Sequence, residues 1–193
     1  MARHWMITGP MPVDLHGPGL WYATRAAGLV TLLLLTASVL LGVMTAGRFS
    51  SDRWPRFLTA GLHRNISLLV LVFLALHVGT TVLDSFVSIQ VTAVFVPFVA
   101  SYKTFWLGLG AIALDLLLAL LVTSLLRGRL GHRSWRRVHW IAYACWPIGL
   151  AHGLGTSKDR ATTWVFALAV GCAAAVAGAA AWRLVTAVRL GTR

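Results

Sequence analysis

Apolar residues run along this chain in blocks too long for a soluble domain, and the polar positions gather between the blocks. Residues 26–44 hold 19 positions without a charge, and similar runs follow at 62–82, 105–126, 138–155 and 161–182. A bilayer core of about 30 Å is crossed by about 20 apolar residues in a helix, because each residue rises about 1.5 Å. Each of the five runs is therefore expected to span. Residues 87–100 are also apolar, but they are few and carry Pro97, so an interfacial or re-entrant piece is expected there. The pattern predicts an all-α fold, a polytopic membrane helix bundle of five transmembrane helices, with six left open. A tail of 1–20, with Pro10, Pro12, Pro18 and no apolar stretch, is not expected to be a secretory signal, which needs a hydrophobic segment of its own. One membrane domain is expected over 21–187, with a short tail at 188–193. No internal repeat is evident.

Composition narrows the class. The chain is 58% hydrophobic and 11% charged with a mean hydropathy of +0.78, whereas soluble domains are about half apolar and about a quarter charged. A soluble enzyme, a disordered tail and a fibrous protein are all disfavoured. The formal charge of +12 would suggest a nucleic-acid surface on a soluble protein. Here the charges lie between spans, where they set topology, and no nucleic-acid partner is expected. Cytoplasmic loops collect Lys and Arg. Twelve of the 17 basic residues fall in the first loop, the third loop and the C-terminal tail, which predicts an outside N-terminus and a cytoplasmic C-terminus. Arginine far outnumbers lysine and alanine is abundant, a bias of GC-rich bacterial genomes that favours a bacterial plasma membrane. Cys145 and Cys172 lie inside apolar runs, where small buried residues are the simpler reading.

The histidines carry the chemistry. Three of the seven lie in the tail or a loop, and four divide between the second and fourth runs. Those two spans run in the same direction, since one helix separates them. His63 and His77 are 14 residues apart, and His139 and His152 are 13 apart, so each pair is separated by about 20 Å along its helix. Ionisable residues within a span are costly and suggest function. A neutral imidazole gives one nitrogen to a metal while the other finds a hydrogen-bond partner. Two parallel helices, each with two histidines at matched depths, can clamp two stacked iron porphyrins, the inner by His63 and His139, the outer by His77 and His152. The alternative is that each histidine packs singly against a neighbouring carbonyl. One feature is irregular: at about 100° per residue, 14 residues return to within about 40° of the starting face, whereas 13 fall about 140° away. Pro147 and nearby glycines predict an irregular helix there.

His63-Arg64-Asn65-Ile66-Ser67-Leu68-Leu69, running on to His77, resembles one haem helix of the ferric reductase-like transmembrane domain. Trp135-Arg136-Arg137-Val138-His139-Trp140-Ile141-Ala142-Tyr143, running on to His152-Gly153, resembles the other. That superfamily includes ferric reductases, NADPH oxidases and the haem subunit of the bacterial methionine sulfoxide reductase system. Its oxidase-type members show the same 14 and 13 spacings, and the resemblance covers roughly residues 20–185. It implies two haem b groups with His63, His77, His139 and His152 as axial ligands. It also implies electron transfer across the membrane to an extracytoplasmic acceptor. The family's usual flavin and nicotinamide domain is not expected, because no Gly-rich dinucleotide fingerprint is present. The electron donor is then expected to be a separate cytoplasmic protein such as a flavin reductase, or quinol, making this chain the haem-containing membrane subunit of an oxidoreductase.

Arg64 and Arg136 are expected partners of the haem propionates through bidentate pairing, though topology alone also accounts for any one arginine. Lys158 and Arg160 are candidates on the outer side. Asp115, in the middle of the third run, would be protonated or paired, as a proton relay or a structural hydrogen bond. Tyr143, Trp140 and Trp146 either line the haem faces or pack. Gly28, Gly42, Gly61, Gly108 and Gly110 allow close approach of a helix or of a macrocycle. Two competing functions are a quinol-coupled cytochrome b, with Asp115 or an arginine serving the quinone, and a haem-free membrane scaffold of the same fold. A proton-coupled transporter would need more intramembrane acids than Asp115.

Overall fold

A computed structural model describes residues 18–47, 54–84, 89–157 and 163–191. Lys158 and Arg160 lie outside the described residues. Among the described residues eight helices follow in order: α1 (Pro18–Ala46), α2 (Arg56–Leu83), α3 (Thr92–Phe95), α4 (Thr104–Leu125), α5 (Arg127–Leu130), α6 (His132–His139), α7 (Ala142–Thr156) and α8 (Thr163–Gly191). Among the described residues α1, α2, α4 and α8 are long and apolar enough to cross a membrane. The chain is thus a multi-pass helical membrane protein. The run expected over 138–155 takes a different form. It begins on α6 and continues through Trp140 and Ile141, both with right-handed helical dihedrals, into the 15 residues of α7. Within 87–100 the described residues form only the single turn of α3, which packs on α4. There Phe98, with φ at 65°, lays its ring over Gly108.

The helices pack as two antiparallel hairpins. α1 lies against α2, with Thr24 opposite Thr80 (Oγ1 to Oγ1, 2.8 Å) and Ser38 opposite Ser67 (Oγ to Oγ, 2.8 Å). α4 lies against α7, with Ala113 opposite Cys145 (Sγ to carbonyl oxygen, 3.4 Å). α8 leans on α1, and the buried cluster of Val39, Trp146 and Cys172 ties α1, α7 and α8 together. Trp146 donates its indole N–H to Thr36 Oγ1 at 2.9 Å, which satisfies the polar edge of a large buried ring. Its role is packing.

Sequence dictates the face each helix turns inward. On α2 the inward positions His63, Ser67, Val70, Leu74, His77 and Thr81 repeat every three to four residues, the period of one helical face. Leu68, Leu69, Val72 and Leu76 point away and are about half exposed, as side chains solvated by lipid are. α2 starts after the extended Pro55 and stops where Asp84 turns extended. α4 starts at Lys103, whose φ is 41°. The Lys103 Nζ reaches across to the carbonyls of Gly155 (3.2 Å) and Thr156 (2.8 Å). Those are end carbonyls of α7, which have no partner within their own helix. One cation therefore fixes the start of α4 to the end of α7.

Candidate cofactor site

The fold brings the four histidines together in two pairs. His63 on α2 faces His139 at the end of α6, with ring centres 6.2 Å apart and planes at 85°. His77 faces His152 of α7 at 6.3 Å and 80°. The like pairing at both levels means that α2 and the α6–α7 segment run in the same direction. Fourteen residues of α2 separate the levels by about 20 Å.

These separations can be tested against haem. An imidazole nitrogen stands about 2.0–2.1 Å from a first-row metal, and its ring centre about 1.1 Å further back, so two rings on opposite sides of one metal stand about 6.2–6.4 Å apart. Both pairs meet that value. Among the described residues no group of three or more His, Cys, Asp or Glu converges to hold a bare ion. The histidines meet in twos, which suits an iron whose other four ligands come from a porphyrin. The residues fit the group.

Winding resolves the irregular spacing of 13. Between His139 and Ala144 the backbone makes four i→i−3 hydrogen bonds. They run from Trp140 N to Arg137 O (3.3 Å), Ile141 N to Val138 O (2.9 Å), Tyr143 N to Trp140 O (3.1 Å) and Ala144 N to Ile141 O (2.9 Å). This is 3₁₀ winding, with 3.0 residues per turn and so about 120° per residue. Five such steps add about 100° over an α-helix, leaving His152 about 40° from the face of His139. Fourteen regular α-helical residues leave the same offset on α2. Pro147 follows these turns inside α7, where it offers no N–H to the carbonyl four residues earlier, on Tyr143.

Three of the four rings are anchored identically. His77 Nδ1 bonds the backbone carbonyl of Thr24 at 2.8 Å, His63 Nδ1 that of Ser38 at 2.9 Å, and His152 Nδ1 that of Trp106 at 2.8 Å. Each bond occupies Nδ1 and leaves Nε2 for the facing ring's side. The hydroxyls of Thr81, Ser67 and Thr156 bond the carbonyls of the same three histidines, each from four residues on. His139 differs. Its Nδ1 is buried without a hydrogen-bond partner among the described residues, and its ring stacks on Trp135 at 4.9 Å and 26°. Trp135 in turn lies under the Arg127 guanidinium (4.5 Å). The carbonyl anchors were not visible in the sequence, because a backbone acceptor carries no residue signature.

A cavity of about 350 Å³ opens beside the His77/His152 pair, lined by apolar residues of α1, α4 and α7 with Trp21, Arg25, Asp84 and Tyr102 at its edge. Ile89, Ala93 and Val94, from the segment around α3, cover one side. Asp115 is half-buried on α4 and does not line this cavity. Arg64 adjoins His63 and Arg136 precedes His139 by one turn, both exposed. Tyr143 and Trp140 turn instead toward Arg183 of α8, which donates to the Tyr143 hydroxyl at 2.7 Å and lies over the Trp140 ring at 4.8 Å.

Compared with known proteins, residues 27–150 match the family model described as ferric reductase like transmembrane component. No curated protein and no solved structure matches the chain.

Proposed function

Because the chain belongs to the ferric reductase-like transmembrane component family, a family of transmembrane electron carriers whose domains generally bind haem, we propose that it is a di-haem b membrane subunit. It passes electrons from a cytoplasmic donor to an extracytoplasmic acceptor. The observation that carries the reading is the double histidine pairing, at 6.2 and 6.3 Å and at two depths. Each bound haem supplies an iron that takes up and releases one electron. The protein's own residues do the rest. His63 with His139, and His77 with His152, would hold the two groups, one pair at each depth. The carbonyls of Thr24, Ser38 and Trp106 fix the rings. Arg64 and Arg136, near His63 and His139 in the sequence and exposed, would pair their guanidinium groups with propionate carboxylates. Mostly apolar side chains wall the cavity beside the outer pair.

In this reading five segments cross the bilayer, the α6–α7 segment being the fourth. The N-terminus is outside, the C-terminus cytoplasmic, and the membrane is a bacterial plasma membrane. The donor is a separate flavin reductase, as is typical of the family, or quinol. A quinone site built on Asp115 draws no support from the cavity, which that residue does not line. The test is a reduced-minus-oxidised absorption spectrum of the purified protein with haem quantified per chain. Two b-type haems are expected. A colourless protein that takes up no haem under ample supply would leave a scaffold of the same fold.

A further inference from the structure

The three anchored histidines share more than a carbonyl. Each accepting carbonyl lies four residues before a glycine: Thr24 before Gly28, Ser38 before Gly42, and Trp106 before Gly110. In an α-helix a side chain leans back over the preceding turn, so the Cβ four residues on overhangs a carbonyl and shields it. Glycine uncovers it. The carbonyl, already bonded within its helix, can then take a second N–H from a ring lying against the backbone.

The fit is specific. The atoms nearest to a Cβ at Gly28 would be those of the His77 ring (3.1 Å), at Gly42 those of the His63 ring (3.4 Å), and at Gly110 those of the His152 ring (2.5 Å). Gly61 and Gly79, each two residues from a histidine on α2, would meet nothing within 4 Å. The fourth position completes the comparison. Trp106 lies opposite His152 and Ala113 opposite Cys145, and the same register sets Ala119 opposite His139. Four residues after Ala119 stands Thr123 rather than glycine, and its hydroxyl bonds the Ala119 carbonyl at 2.7 Å. The place is filled, and His139 Nδ1 has no partner among the described residues.

We infer that Gly28, Gly42 and Gly110 are positioning residues: notches that open a backbone carbonyl to a histidine Nδ1–H and so set ring angle and tautomer for ligation by Nε2. His139 is the one ligand set by stacking alone. The inference rests on the di-haem reading above. It also gives these three glycines a role beyond the close approach of a helix or a macrocycle.

The experiment is alanine substitution at five glycines in the purified, haem-loaded full chain, reading haem per chain and the ferric spin state by electron paramagnetic resonance. Alanine favours helix over glycine, so a loss cannot come from a weakened helix. The contact distances rank the outcome. Gly110→Ala is expected to lose at least half of one haem per chain, or convert it from six-coordinate low-spin to five-coordinate high-spin. Gly28→Ala is expected to convert a smaller share, Gly42→Ala the least, and Gly61→Ala and Gly79→Ala none. Should Gly110→Ala fail to fold, the milder Gly28→Ala still decides against Gly79→Ala. Two haems with unchanged low-spin signals in both Gly110→Ala and Gly28→Ala would overturn the notch, as would equal losses at Gly61 or Gly79. A wild-type chain without haem would instead overturn the di-haem reading beneath it.

Discussion

A neutral histidine buried in a membrane protein must place its N–H, since an unmet buried donor costs about 1–3 kcal/mol. His63, His77 and His152 place theirs on carbonyls of α1 and α4, while His139 depends on the face of Trp135. Aromatic stacking contributes about 0.5–1.5 kcal/mol. Trp135→Ala should therefore release the inner haem several-fold faster than wild type in transfer to apomyoglobin, and Trp135→Phe should stay near wild type. An unchanged rate in Trp135→Ala would mean that something other than the stack orients His139. At this scale the sequence was informative about the four histidines that pair and silent about their anchors. The histidines stood out because an imidazole inside an apolar run is rare. The Thr24, Ser38 and Trp106 carbonyls could be found only once the helices were docked. The glycines did leave a signal: Gly28 and Gly42 are 14 apart, as are His63 and His77.

The helices that cross on their own apolar length, α1, α2, α4 and α8, follow the hydropathy pattern closely. The α6–α7 segment does not, because its path is set by winding rather than by composition. The tightened turns between His139 and Ala144 supply the rotation that a 13-residue spacing lacks, and Pro147 follows them within α7. Pro147→Ala should let these turns relax toward α-helical winding, carrying His139 about 100° off the common face. The inner haem is then expected to be lost and the outer one kept. Inserting one alanine between Trp140 and Ile141 in that variant gives a 14-residue spacing and should restore the inner haem. Two haems in Pro147→Ala alone would show that the winding does not depend on the proline.

Across the whole molecule, the α4–α7 hairpin repeats the α1–α2 hairpin. The first helix of each offers carbonyls and glycines, and the second carries the histidines. No repeat is evident in the sequence because the correspondence lies in a few positions. Its second copy is also offset by one residue and carries Thr123 in place of glycine. The pairing of unlike hairpins through two cofactors is the central claim, and it can be tested one ligand at a time. Haem per chain, with the absorption band of each haem, would be measured in His63→Ala, His139→Ala, His77→Ala and His152→Ala. The account predicts that His63→Ala and His139→Ala remove or alter one and the same haem, and that His77→Ala and His152→Ala do so for the other. Loss of the same haem from His63→Ala and His77→Ala, or four variants that all keep both haems unaltered, would contradict it.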